Sequence, residues 1–203
     1  MAGSDCSDSY SPARLADRAM ITDVLHRYCK GVDRLDFALI RDSFHPDAVD
    51  EHSMYSGGVD GLIEWIRQRH AAILFSMHTT SNVAVEFPDR DTAYVESCCQ
   101  STQRHRPAAV SDATDERAFL TFARYLDVFT RRAGAWRIQH RTAVYDDIWQ
   151  VCLHADSPTL DAAWTLGTRD RRDPSYTPHA RWREQPARAI PVEPPVEPTV
   201  ARK

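Results

Sequence analysis

The chain has 203 residues, 42% hydrophobic and 27% charged, with a formal net charge of −4. That is ample for one domain with a core and a tail and short for two. The acidic balance speaks against a nucleic-acid surface, which needs a net basic patch, and no apolar stretch approaches the ~18 residues of a membrane-spanning helix.

In chain order, residues 1–10 are small and polar and read as a disordered lead. They lack the basic start and apolar run of a secretory signal, so the expected location is the cytoplasm. Ser11-Pro12 reads as an N-cap followed by proline at the first helical position. Leu15, Ile21, Val24, Leu25, Tyr28 and Val32 recur mostly at three- and four-residue spacing, giving a helix one apolar face. Gly31 interrupts that helix near its end and Asp33 follows. A short helix over about 36–44 takes Asp36 as its cap and stops at His45-Pro46-Asp47, because proline disfavours helical geometry in the residue before it. A strand over about 48–52, a turn at Ser56-Gly57-Gly58 and a helix over about 59–74 come next. Leu62, Ile63, Ile66 and Ile73 lie on one face of that helix, whereas His70, beside Arg67 and Arg69, reads as solvated.

The hydrophobic period then changes to two. Residues 83–87 form a strand, Pro88 to Asp91 a turn, and 92–104 the returning strand. Residues 106–116 read as a loop, 117–131 as a long strand, Arg132-Ala133-Gly134 as a turn and 136–149 as its partner. Helices followed by a strand meander indicate an α+β fold, a curved antiparallel sheet with helices packed on one face, over residues 11–155. Residues 156–203 form a C-terminal arm and tail: eight of the twelve prolines lie at 158 or later, so the last ~20 residues are expected to be extended or disordered. Trp164 and Leu166 are suited to pack the arm on the domain or on a neighbouring subunit.

His78 stands just before the 83–87 strand, where an imidazole can project into whatever cavity the sheet encloses. Asp33, at the end of the first helix, is its candidate partner. A base and an orienting acid suffice for cofactor-free proton abstraction: the carboxylate fixes the tautomer and stabilises the imidazolium that forms. The alternatives are a strand-end histidine bonded to backbone and a helix-terminal turn former. Arg141, out of phase with Trp136, Ile138 and His140, faces either the pocket or the outside; Tyr28 either lines the pocket or closes the core. His45, His52, His70 and His78 show no H-x-H or H-E-x-x-H pattern. The five cysteines, at 6, 29, 98, 99 and 152, follow no metal spacing and fit free thiols in a reducing compartment. With seven glycines and no glycine-rich phosphate loop, neither a metal nor a cofactor is expected.

Five pieces in this order resemble the SnoaL-like branch of the nuclear transport factor 2-like superfamily: Tyr28 with Gly31-Val32-Asp33; Phe44-His45-Pro46-Asp47-Ala48; His78 with Asn82; Tyr125-Leu126-Asp127-Val128-Phe129; and Trp136-Arg137-Ile138 followed by Arg141. The resemblance spans about residues 11–150. It implies a cone-shaped curved sheet with a mixed edge, N-terminal helices packed on it, and an enclosed pocket. Within the branch the chain is most similar to the hexachlorocyclohexane dehydrochlorinase and scytalone dehydratase groups, cofactor-independent lyases with an Asp–His dyad. This implies Asp33 and His78 as catalytic residues, with Tyr28, Arg141 and Asn82 binding substrate. The substrate does not carry over with the resemblance; a small, largely apolar one, cyclic compounds included, is expected, with a homo-oligomer, dimer or trimer. Two alternatives stay open: an isomerase or cyclase like ketosteroid isomerase, and a non-catalytic binding subunit such as the β partner of a ring-hydroxylating dioxygenase.

Overall fold

The structure, a computed structural model, describes residues 10–106, 116–154 and 157–177. Three helices, α1 (Pro12–Arg34), α2 (Phe37–Ser43) and α3 (Val59–Arg69), accompany six strands. The strands are β1 (Phe44–His52), β2 (Tyr55–Gly58), β3 (Ile73–Glu86), β4 (Thr92–His105), β5 (Glu116–Arg132) and β6 (Ala135–Leu153). They form one sheet in the order β2-β1-β6-β5-β4-β3. Every pairing is antiparallel except β1 with β6, which is parallel. The fold is therefore the expected α+β cone with a mixed edge, its curved sheet not closed into a barrel.

Helix α1 starts as expected, with Ser11 accepting a hydrogen bond from the Arg14 amide and Pro12 at the first position. Its buried face carries Ile21, Val24, Leu25, Tyr28 and Val32, whereas Leu15, expected there, stays half exposed. Gly31 does not interrupt the helix, which continues to Arg34. A Cβ at Gly31 would stand 2.8 Å from Cγ1 of Ile40 and 3.2 Å from the Asp36 carbonyl oxygen. Glycine is there so that α2 can lie against α1.

Two bulges set the phase of the sheet. The predicted helix over 59–74 stops at Arg69; a 3₁₀ turn over His70–Ala72 follows, and β3 begins at Ile73, ten residues before the predicted strand. Residues 73–81 were hidden from the period because the ladder to β4 shifts register between Ser81 and Ala84, where Asn82 has φ +50°. Ser76 and His78 face inward on one side of the bulge, Val83 and Val85 on the other, so even and odd exchange roles. His78 therefore lies inside a long strand. The second bulge is on β6: Phe129 pairs with Ile138 but Val128 with His140, leaving Gln139 extra. Arg141 thereby joins Trp136 and Ile138 on the core side.

Arg141 is the largest fully buried side chain among the described residues. Its Nε and Nη2 donate to the two Asp127 carboxylate oxygens, both at 2.7 Å, and its guanidinium lies 3.9 Å from the Tyr125 ring centroid and 4.4 Å from that of Tyr28. Burial alone would lower its pKa; the Asp127 carboxylate raises it well above the ordinary value. The pair is a charged element of the core.

The C-terminal arm returns to the domain through polar side chains. Trp164 and Leu166 remain largely exposed. Asp36 stands at the N-cap of α2 as expected, but its side chain makes no capping bond; the carboxylate instead accepts from Nε and Nη2 of Arg171, each at 3.1 Å, and from the Tyr176 hydroxyl at 3.0 Å. The lead before Tyr10, most of the 106–116 loop and the proline-rich tail past 177 lie outside the described residues.

Replacing Asp127 by Asn leaves a buried guanidinium without its counter-ion and is expected to lower unfolding free energy by about 3–5 kcal/mol. Urea denaturation checks this. A double replacement, Asp127→Leu with Arg141→Met, recovers part of that loss because no charge is then left buried alone.

Candidate active site

Between α1, α3 and the concave face of the sheet lies a cavity of about 50 Å³. Its wall includes Tyr28 of α1, Trp65 of α3, His70 of the 3₁₀ turn, His78 of β3 and Tyr125 of β5. The α1 helix delivers Asp33 in its last turn, and β3 delivers Ser76 and His78 on its inner face.

Asp33 is 8% exposed. Its Oδ1 accepts from the Ser76 hydroxyl at 2.8 Å and is 2.6 Å from Nδ1 of His78, while Oδ2 accepts from the His78 amide at 2.8 Å. A carboxylate at a helix C-terminus opposes the helix dipole, and burial by itself would raise its pKa. The hydrogen bonds and charge of His78, with the Ser76 hydroxyl, outweigh burial and hold it below the ordinary carboxylate value. An ionised carboxylate only accepts, so Nδ1 of His78 carries the proton and Nε2 is left as an acceptor. Such an arrangement is chemically able to serve as a base with its orienter behind it.

The structure brings together only part of the predicted site. Asp33 and His78 are in contact, and Tyr28 lines the cavity while also packing edge-on against Phe44 and Tyr125. Arg141 is not on the wall: the β6 bulge turns it into the core, where its Nε and Nη2 donate to Asp127. Asn82 is also off the wall, exposed at the β3 bulge with its amide 3.8 Å from Sγ of Cys98. Neither Arg141 nor Asn82 lines this cavity.

Two further histidines, His52 and His70, stand on the wall although sequence pattern does not mark them as site residues. His52 stands with Nδ1 3.6 Å from the buried Asp50 carboxylate. His70, expected on a solvated helix face, is 5% exposed. The helix ends one residue earlier, and the 3₁₀ turn carries its ring inward. Nη2 of Arg169, from the arm, is 2.7 Å from its Nδ1. Burial first, then the Arg169 charge, pushes the His70 pKa down to about 3. The chance of noticing it lay in the break in helical period after Arg69, which Ile73 obscured by falling in phase. Among the described residues no group of three or more His, Cys, Asp or Glu side chains is placed to hold a metal, and no helix is long and apolar enough to cross a membrane.

Residues 13–142 match the profile of the SnoaL-like domain. Among solved structures, a hexachlorocyclohexane dehydrochlorinase of type 3 from Novosphingobium barchaimii superposes with a TM-score of 0.60 at 18% identity, covering 73% of this chain and 97% of that one. A Novosphingobium aromaticivorans protein provisionally assigned as a scytalone dehydratase gives 0.59 at 16% identity, covering 73% and 96%. A Mycobacterium tuberculosis protein of unknown function, solved as a point variant, gives 0.53 at 24% identity, covering 67% and 76%. At these identities the likeness is one of fold. No curated protein matches the sequence.

His70 also makes stability depend on pH. Its folded pKa, about 3, lies below the unfolded value of about 6.5, so the unfolded chain binds a proton that the folded chain refuses. Its contribution is complete above about pH 6.5 and falls as pH drops towards 3, with a slope approaching 1.4 kcal/mol per unit. Asp33, with its lowered pKa, acts in the same direction below about pH 4. Urea midpoints measured between pH 7 and 4.5 are expected to decline in the native protein and to decline less steeply in His70→Gln.

Proposed function

The chain belongs to the SnoaL-like domain family over residues 13–142, and we propose that it is a cofactor-independent lyase, a dehydratase or a related β-elimination enzyme. The observation that carries this reading is the 2.6 Å contact between Asp33 and Nδ1 of His78. Nε2 of His78 accepts a proton from a substrate carbon. The C–H electron pair becomes the new double bond as hydroxide or another β group departs with its bonding pair. Asp33 keeps the ring in the productive tautomer and stabilises the imidazolium.

The wall suits a small and largely apolar substrate, since Tyr28, Trp65 and Tyr125 present aromatic surface. Burial raises the Tyr28 pKa well above its ordinary value, so its hydroxyl stays a neutral hydrogen-bonding group towards substrate. A cavity of about 50 Å³ is far smaller than the ~300 Å³ at the low end of ligand pockets. Trp65, half-buried, and Arg69 and Tyr145, both exposed, are large wall side chains with room to move as substrate enters. Exposed Ile148, Trp149 and Val151 on β6 support self-association as part of this reading.

The narrow cavity also favours a second reading, a non-catalytic subunit that acts beside a larger iron-containing partner. Purification separates the two: a subunit is unstable without its partner, whereas a lyase stands alone.

The proposal is tested with a panel of small cyclic β-hydroxy and β-chloro compounds, following loss of water or HCl by mass spectrometry without added metal or nucleotide. His78→Ala is expected to slow turnover about 100- to 10,000-fold, and Asp33→Asn to cause most of the same loss. Because the two act as a unit, the double variant should be little slower than His78→Ala alone. Folded variants with near-native turnover would remove the dyad from the chemistry.

A further inference from the structure

Arg169 reaches from the arm into the end of the cavity. Its Nε donates to the Asp33 carbonyl oxygen at 3.2 Å, Nη1 to that of Ile73 at 2.7 Å, and Nη2 to that of Val32 at 3.4 Å. These three main-chain acceptors, at the end of α1 and the start of β3, fix the guanidinium plane. Nη2 then meets Nδ1 of His70 at 2.7 Å. A guanidinium has donors and no acceptor, so Nδ1 of His70 must be the unprotonated nitrogen. The ring is neutral, its charged form disfavoured by burial and by the Arg169 charge. The remaining proton therefore sits on Nε2.

The cavity thus carries two imidazoles of opposite polarity. His78 is bound at Nδ1 by a carboxylate and offers an acceptor at Nε2. His70 is bound at Nδ1 by a guanidinium and offers a donor at Nε2. Both side chains line the same space. A base that removes a proton from carbon leaves an electron pair behind. That pair is held best by an adjacent carbonyl whose oxygen meets a preorganised donor.

Resting on the lyase reading above, we propose that His70 is a further catalytic residue, the hydrogen-bond donor to a substrate carbonyl oxygen. Arg169 is the positioning residue that fixes its tautomer, and the substrate carries a carbonyl group beside the carbon that His78 deprotonates. His78 takes the α proton; the C–H pair forms a C=C bond and the carbonyl π pair moves to oxygen, where Nε2–H of His70 stabilises it. When that pair returns, the C=C pair shifts towards the β carbon, the C–O bond breaks and hydroxide leaves. It collects the proton held by His78 and departs as water. A neutral imidazole suits the donor role because it polarises oxygen without placing a second full charge beside the imidazolium at His78.

The full-length protein with ¹⁵N-labelled histidine tests the tautomer directly. The expected spectrum shows His70 protonated at Nε2 and bare at Nδ1, and His78 the reverse. Arg169→Lys, which keeps a donor, is expected to preserve the His70 pattern, and Arg169→Leu to mix the two tautomers. A native His70 protonated at Nδ1 overturns the proposal, as does an unchanged pattern in Arg169→Leu.

The chemistry is read as exchange of the α protons of acetone and cyclohexanone in D₂O, followed by NMR. Removing an oxyanion donor costs about 100- to 1,000-fold, so His70→Phe is expected to lose exchange on that scale. His70→Gln, which retains an N–H donor, is expected to keep part of it. Native exchange rates in folded His70→Phe, or no catalysed exchange of either ketone, overturn the proposal. If β-chlorocyclohexane compounds are still eliminated in a His78-dependent way in that case, the base assignment stands and only the carbonyl-polarising role falls. If His78→Ala matches the native protein in both assays, the lyase reading falls with it.

Discussion

One buried carboxylate joins the parts on which the site depends. The Asp33 side chain accepts from the Ser76 hydroxyl and from both the amide and the ring of His78, so it ties the last turn of α1 to the middle of β3. Its own carbonyl oxygen accepts from Arg169, which brings in the arm. Helix, strand and arm therefore converge on a single residue. A carboxylate at the negative end of a helix is unfavourable by itself, and the three side-chain contacts offset that cost. In doing so they set the orientation and tautomer of His78.

A second buried ionic group forms the floor behind the cavity. Arg141 and Asp127 face each other with no exposed side-chain surface, and the Tyr28 and Tyr125 rings lie over the guanidinium. The same two rings are part of the cavity wall. A bidentate pair of this kind has one good geometry, so the aromatic wall is backed by a fixed element rather than by adaptable apolar packing. The contrast with the partly exposed Trp65 and Tyr145 separates a rigid side of the cavity from a side that can yield.

The arm changes what counts as the site. The matched domain ends at residue 142, yet Arg169, Arg171 and Tyr176 bind groups on α1, β3 and the α1–α2 junction. Docking by arginine fans, rather than by the exposed Trp164 and Leu166, makes the attachment directional. The polarity of His70 depends on that attachment, through a contact between residues 99 positions apart.

Much of the architecture was legible in local pattern. The Ser11-Pro12 cap, the apolar face of α1, the turn residues and the long alternating strands follow from backbone sterics and burial, and these are properties of neighbouring residues. Asp33 and His78 were legible as a pair only through the resemblance of the surrounding motifs; no spacing rule links positions 45 residues apart. Tertiary structure decided the rest, for two physical reasons. A bulge adds one residue to a strand and exchanges its faces, so Asn82 and Gln139 reversed the phases from which the start of β3 and the direction of Arg141 were read. Polar contacts between distant segments, such as Arg169 with His70 and Arg171 with Asp36, leave no periodic trace. They exist only once the chain has folded back on itself, because each charged group must find whatever partner the closed structure places within reach.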